Sequence, residues 1–185
     1  MIAIRKSAEA FRHLRTDQHG FYTIKRQQVK KEKKEVGTLS AGKILSINIG
    51  KKVGAKKDPA EECRLIADFG IEGDAHGGIL QNRQVSLLAT ESIEKIRNKG
   101  LDIHYGDFAE NLTTEGIVLH LLPLGTKLKI GKEVLTEVSQ IGKVCHDRCA
   151  IFHTIGDCVM PREGIFVRVL SDGVIRVGDE ITLES

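Results

Sequence analysis

The chain has no tryptophan, and its aromatic content is only 4%. That weakens any function built on aromatic stacking platforms, single-stranded nucleic-acid binding above all. There is no run of about 18 apolar residues, so no membrane-spanning helix is expected. The N-terminus, MIAIRKSAEAFRHLR, lacks both an apolar core and a small-residue cleavage site, and so does not read as a secretory signal. A reducing cytoplasmic setting is the expectation. Cysteines are few, four in 185 residues. In such a compartment a group of them points to metal or redox chemistry rather than to structural disulfides. No G-x-G-x-x-G or P-loop pattern occurs, which removes support for the common nucleotide folds.

What is present is an ordinary globular composition, 41% hydrophobic and 29% charged, with enough length for one core. The net charge of +3 is unevenly placed: residues 1–35 carry ten Lys/Arg against four Asp/Glu, and the remainder is net acidic. The segment KRQQVKKEKKE reads as a solvated, self-repelling stretch rather than a nucleic-acid interface. SAEAFRHLR predicts a short helix with Ser7 as N-cap, and Val29 to Ser40 a charged linker. The domain division is accordingly a basic extension over 1–40, helical or disordered, and a folded domain over 41–185.

Within that domain the pattern is mostly strand. KILSINIG, RQVSLLA, TKLKIG, VLTEVSQIG, GIFVRVL and GVIRVGDEITL are β-rich runs separated by glycine-containing turns. TKLKIGKEVLTEV predicts a hairpin turning at IGKE, with Leu128 and Ile130 on one face and Lys127 and Lys129 on the other. VRVLSDGVIRVGDEITL predicts a second hairpin with SDG at its tip. TESIEKIRNKG predicts a helix, with Thr90 as N-cap, Ile93 and Ile96 on the apolar face and Gly100 as its stop. EECRLIADFG is expected to hold a second short turn or helix. The fold class that follows is mainly β, a barrel-like sheet with one or two short helices.

Four segments carry residues suited to chemistry. The first, QIGKVCHDRCAIFHTIGDC, gathers Cys145, Cys149 and Cys158 with His146 and His153. Cys145, His146, Cys149 and Cys158 are one candidate set for a structural zinc, although adjacent residues on an extended strand point to opposite faces. A reactive Cys145 thiol is better supported, since Lys143, His146 and Arg148 supply positive charge that favours the thiolate. The isolated Cys63 reads as a buried core residue. The second segment, FGIEGDAHGGILQNRQVSLL, sets Asp74 and His76 among Gly73, Gly77 and Gly78. Such a loop suits close backbone approach to an anionic ligand, with Arg83 following. The third, YGDFAENLTTEGI, offers Asn111 either as a ligand contact or as a turn cap. The fourth, GDCVMPREG, offers Arg162 for a phosphate and Glu163 as an acid or base, or a plain turn after Pro161.

Taken in order, GIEGDAHGG, RQVSLL, GDFAENLTTEGI, LPLGTKLKIG, IGKVCH and GDCVMPREGIFVRVL…GVIRVGDEI resemble the MOSC domain, the C-terminal domain of molybdenum-cofactor sulfurase. The likeness runs from about Gly42 to Leu183 and is strongest to small stand-alone bacterial members. The resemblance implies a barrel-like MOSC fold and a catalytic cysteine at Cys145. That cysteine would carry sulfur as a persulfide or ligate molybdenum through its thiolate. His76, His146 and Arg162 would tune the thiol or bind the cofactor. Asp74, Gly77, Arg83, Asn111 and Arg148 join His76 and Arg162 as candidates for binding molybdopterin. Cys149 or Cys158 would resolve the persulfide. No pyridoxal-phosphate desulfurase portion is found, so a separate cysteine desulfurase is the implied sulfur donor and a molybdoenzyme the implied client. Both a sulfurtransferase-like and a molybdenum-cofactor-dependent activity fit. A non-catalytic cofactor-delivery module and a zinc-stabilised structural domain are the alternatives.

Overall fold

The computed structural model describes residues 41–53, 55–143 and 150–184. The expected N-terminal helix, the linker and the domain boundary lie outside them. Eleven strands are described: β1 (Ala41–Ile49), β2 (Asp58–Ala60), β3 (Glu62–Ile66), β4 (Gly70–Ile71), β5 (Val85–Ala89), β6 (Leu112–Glu115), β7 (Lys127–Ile130), β8 (Val134–Ile141), β9 (Ile165–Val169), β10 (Gly173–Arg176) and β11 (Glu180–Glu184). The helices are α1 (Thr90–Arg97), α2 (Ala150–Ile155) and α3 (Met160–Glu163), with a 3₁₀ turn at Leu119–Leu121.

Seven strands close on themselves in the order β1-β6-β5-β9-β8-β7-β11 and back to β1, with β2 attached outside the ring on β1. Closure leaves the ring without an open edge. An odd number of strands cannot close with antiparallel pairs alone, and the single parallel pair is β5–β6. A parallel pair needs a crossover, and the connection from Ala89 to Leu112 contains α1. The remaining strands form a small sheet in the order β10-β3-β4.

The barrel interior is filled by residues such as Ile44, Leu87, Leu112, Leu128, Ile165 and Ile181. A second apolar cluster lies on the other side of β5 and β9, where Leu88 and Phe166 pack with Ile93, Ile96 and Met160. β5 is therefore buried on both faces, which is why VSLLA reads as a continuous apolar run rather than an alternating one.

The β7–β8 hairpin and its two faces are as expected, with Leu128 and Ile130 buried. So is α1, whose Ile93 and Ile96 are buried and which gives way at Gly100 with φ +90°. Three expectations are corrected. Thr90 is the first helical residue and not the N-cap, a place taken by Ala89, and its hydroxyl meets the Tyr105 hydroxyl instead. EECRLIADFG is mainly strand β3, followed by the expected short turn at 67–69, and the helix alternative is overturned: Cys63 and Leu65 point inward while Glu62 and Arg64 point out, a period of two. The proposed β9–β10 hairpin does not form, because β5 and β8 occupy both edges of β9; β10 pairs with β3 instead.

Gly142 closes the end of β8. Its φ is +66°, its N–H bonds the Gly164 carbonyl at 2.7 Å, and a Cβ there would collide with the Pro161 carbonyl oxygen. Gly142→Ala is expected to destabilise the domain by about 1–3 kcal/mol from backbone strain alone. Urea unfolding checks this: the midpoint should fall with the slope unchanged.

Candidate functional site

After β4 the chain turns through Gly73, at φ +80°, and delivers Asp74 into the interior, where its side chain is 1% exposed. Oδ2 accepts hydrogen bonds from the Gly50 N–H at 2.9 Å, the Lys57 ammonium at 2.8 Å and the Asn111 amide at 2.9 Å. Oδ1 takes the His76 N–H at 2.9 Å and lies 3.0 Å from His76 Nδ1. Burial works against ionisation of this carboxyl. The His76 ring, the Gly50 N–H, Lys57 and the His76 N–H outweigh it and hold Asp74 well below the usual carboxylate range.

The glycine-rich loop is built differently from an anion cradle. Every N–H from Asp74 to Ile79 already donates within the protein: Asp74 to Ile71 O, Ala75 to Gly50 O, His76 to Asp74 Oδ1, Gly77 to Asp74 O, Gly78 to Phe69 O and Ile79 to His76 O. The close approach that glycine permits is to the Phe69 ring, which a Cβ at Gly77 or Gly78 would strike. An anion at this loop would thus be held by side chains rather than by a backbone nest.

Asn111, just before β6, is buried and saturated. Its Oδ1 accepts from the Ser86 N–H and hydroxyl, and its Nδ2 donates to Asn48 O and to Asp74. It is a strut between β5, β1 and the Asp74 loop. Next to it Glu110 is fully buried; Oε1 accepts from the Gly106 N–H at 2.7 Å and the Thr113 hydroxyl at 2.9 Å, while Oε2 has no partner among the described residues. Burial pushes the Glu110 carboxyl up, against the Gly106 and Thr113 hydrogen bonds. Lys57, absent from the sequence reading, is the ion-pair partner at the centre. Burial pulls its ammonium down, the bond and charge of Asp74 and the charge of Glu110 support it, and the charge of Lys143 opposes it. One lysine in the run KKVGAKKDP gives no periodic or motif signal that would single it out.

The other candidates are distributed as follows. Arg83 bonds Gln140 Oε1 through Nε at 2.9 Å and lies over the Phe166 ring; Gln140 in turn donates to Gly142 O. Arg83 therefore sits beside the stretch that runs into Lys143. Arg162 is engaged with Asp157 at 2.8 Å, and Asp157 also pairs with Lys99; neither pair includes a bonding partner of Asp74. Glu163 bonds Ser92 and Lys95 and so ties α3 to α1. Cys158 lies in the second apolar cluster, and His153 is exposed on α2. Cys63 is buried, and burial with the fields of Asp74 and Glu62 pushes its thiol up to about 12, the mark of an inert core cysteine. Cys145, His146, Arg148 and Cys149 lie outside the described residues. Among the described residues no three His, Cys, Asp or Glu side chains group to hold a metal ion, and no helix is long and apolar enough to cross a membrane.

A seven-stranded closed barrel with a buried polar centre at one set of loops defines a class of small β domains. The sequence model of the MOSC domain matches residues 72–182, and the chain belongs to that molybdenum-cofactor-related family. Among solved structures it is similar to the YuaD protein from Bacillus subtilis, at 19% identity over 78% of this chain and 96% of that one, with a TM-score of 0.67. YiiM from Geobacillus stearothermophilus is 25% identical over 78% of this chain and 75% of its own, with a TM-score of 0.59. YiiM from Escherichia coli is 18% identical over 77% and 70%, at 0.54. These likenesses show the fold. No curated protein matches the sequence.

Two expectations test the electrostatics. Lys57→Met removes the cation from a buried pair and should destabilise the domain by about 3–5 kcal/mol in urea unfolding. For Glu110 the folded-state pKa is raised, so the native protein holds the proton more tightly than the unfolded chain. Its contribution is then most favourable below the unfolded value of about 4.3 and is lost as pH rises through the folded value. Stability measured against pH should show wild type losing ground to Glu110→Gln as pH rises above about 4.3.

Proposed function

We propose that the chain acts in molybdenum-cofactor chemistry through Cys145, which carries sulfur as a persulfide or ligates molybdenum through its thiolate. Family membership supports the cofactor association. The observation that carries the reading further is a convergence. Asp74 and Asn111, 37 residues apart, meet with His76 and Lys57 at one buried centre. Lys143 is close enough to act on the Lys57 ammonium, and in sequence it precedes Cys145 by two residues. Functional thiols sit in electropositive surroundings, and Lys143 supplies one such charge.

The residues fit an anionic pterin phosphate in one respect. Arg83 and Lys143, both half-buried, supply cationic donors beside the end of β8, whereas the Asp74–Ile79 backbone has none to offer. Arg83 and Lys143 are therefore the described residues that would hold such a group, with Arg148 and His146 as further candidates by sequence. The bound cofactor would supply the metal-centred redox chemistry; this chain would supply its thiol, its cations and the fixed polar frame around Asp74. A cysteine desulfurase as donor, a molybdoenzyme as client and a cytoplasmic setting complete the reading.

Intact-mass measurement tests it. Protein purified without reductant and treated with a cysteine desulfurase and cysteine is expected to gain about one sulfur, reversible by reductant and absent in Cys145→Ser. A gain in neither protein sets the sulfur carrier aside and leaves cofactor ligation or delivery, read next by metal analysis.

A further inference from the structure

We propose that the two loops joined at the Asp74 turn form a docking surface for an anionic lipid membrane, seated through exposed aliphatic side chains and lysines. The inference rests neither on Cys145 nor on the cofactor reading.

The first loop leaves β1 at Gly50 and enters β2 at Asp58; the second leaves β4 and enters β5. Both ends of the first are fastened to the second. The Gly50 carbonyl accepts the Ala75 N–H at 2.7 Å, the Gly50 N–H donates to Asp74, and Lys57 bonds Asp74. Within the second loop the Gly78 N–H donates to the Phe69 carbonyl, and Gly77 and Gly78 lie against the Phe69 ring. Phe69 is thereby packed onto the residues that lead directly to Ile79 and Leu80.

These loops invert the usual placement. The charged Lys57 and Asp74 go into the interior, while Val53, Phe69, Ile79 and Leu80 are 63%, 37%, 59% and 46% exposed. They are four of the ten large apolar side chains exposed among the described residues. One such side chain is ordinary on a surface; four on two joined loops form a cluster of the kind that marks an interaction site. The exposed Lys51, Lys52 and Lys56 flank Val53. Lys56 pairs with Asp107 at 2.8 Å, whereas Lys51 and Lys52 have no ion-pair partner among the described residues. The exposed carboxylates Asp58 and Glu72 stand where the loops join β2 and β4.

The composition favours lipid over a protein partner. Protein interfaces are depleted in lysine and enriched in arginine. The one arginine here, Arg83, is turned to Gln140 and the Phe166 ring. Lysine lays its stem along hydrocarbon and keeps its ammonium in the polar layer, and each lysine near an anionic leaflet adds to the attraction. The acyl boundary would take Val53, Ile79 and Leu80, and phosphate headgroups would take Lys51 and Lys52. The domain would lie on the membrane without spanning it.

Vesicle flotation of the full chain tests this, with equal parts phosphatidylglycerol and phosphatidylcholine against phosphatidylcholine alone. Binding is expected on the anionic vesicles only, and should weaken at about 1 M salt, where the screening length is about 3 Å. Lys51→Gln combined with Lys52→Gln should weaken it about 25-fold, about fivefold for each lysine. Ile79→Asp should weaken it about tenfold. Lys132→Gln, which removes an exposed cation from the β7–β8 turn, should leave it unchanged. Because the chain has no tryptophan, Ile79→Trp introduces a single one. Its fluorescence should be quenched by lipids brominated on their acyl chains, and that of Lys132→Trp should not. The ten Lys/Arg of residues 1–35 are the competing source of attraction. Binding undiminished in the loop variants, or a bound Ile79→Trp protein that stays unquenched, assigns the attraction to that segment and overturns the proposal. Absence of binding to the anionic vesicles, or an equal loss in Lys132→Gln, overturns it as well.

Discussion

The carboxylate of Asp74 is the constraint on which the site depends. Five donors converge on its two oxygens: the Gly50 amide at the end of β1, the ammonium of Lys57 before β2, the Asn111 amide before β6, and the amide and ring of His76. An isolated buried charge would be costly in this interior, and a carboxylate so surrounded is stabilised as the anion. The converse also holds. Without the anion, Lys57 would be a buried cation with no anion in hydrogen-bond reach, Asn111 would lose one of its four hydrogen bonds, and the His76 ring would lose its 3.0 Å contact. The loops that hold the candidate residues are thus joined to one another through a charge rather than through apolar packing.

The barrel explains why such a centre can be rigid. A ring of seven strands has no frayed edge, and β1 sits in it between β6 and β11 while also carrying β2. Two of Asp74's partners, Gly50 and Asn111, lie directly after β1 and directly before β6, strands whose pairing includes Ile47 with Leu112. The parallel β5–β6 pair adds the Ser86–Asn111 bonds behind them. The polar centre is therefore pinned to the most extensively paired strand of the fold. Among its described residues, the His76 side chain is half-buried where Asp74 and Lys57 are fully enclosed.

Much of this was legible in sequence, for identifiable reasons. The β7–β8 hairpin showed itself because Lys127 and Lys129 alternate with Leu128 and Ile130, a period that only one half-buried strand produces. Asp74 and His76 stood out because glycines surround them, although those glycines serve Phe69 packing more than a ligand. The turn at 67–69 was legible, but strand β3 before it was not, because five residues of ECRLI are too few to separate strand from helix by pattern. The β9–β10 hairpin was misread because turn chemistry at SDG is local, whereas the occupancy of both edges of β9 is a property of the closed ring. Lys57 was invisible for a related reason: nothing near it in sequence shows that a carboxylate 17 residues later will be delivered to it.

Two carboxyls, Asp74 and Glu110, lie in this one polar region and are driven in opposite directions. Both are buried, so desolvation raises both; what differs is the number and charge of the donors. Asp74 has a cation, three N–H groups and an imidazole. Glu110 has one backbone N–H and one hydroxyl on a single oxygen, and Oε2 has no partner among the described residues. For Asp74 the folded value is depressed, so its contribution is present above the unfolded value of about 3.9 and lost as pH falls through the folded one. For Glu110 the sign is reversed. The two shifts run in opposite directions, and it is Asp74 that bonds Lys57 directly while Glu110 acts on it through space. Glu110 joins the Gly106 N–H to the Thr113 hydroxyl through one oxygen, whereas Asp74 gathers Lys57, Asn111, Gly50 and His76 on two. Environment assigns the two identical functional groups different roles.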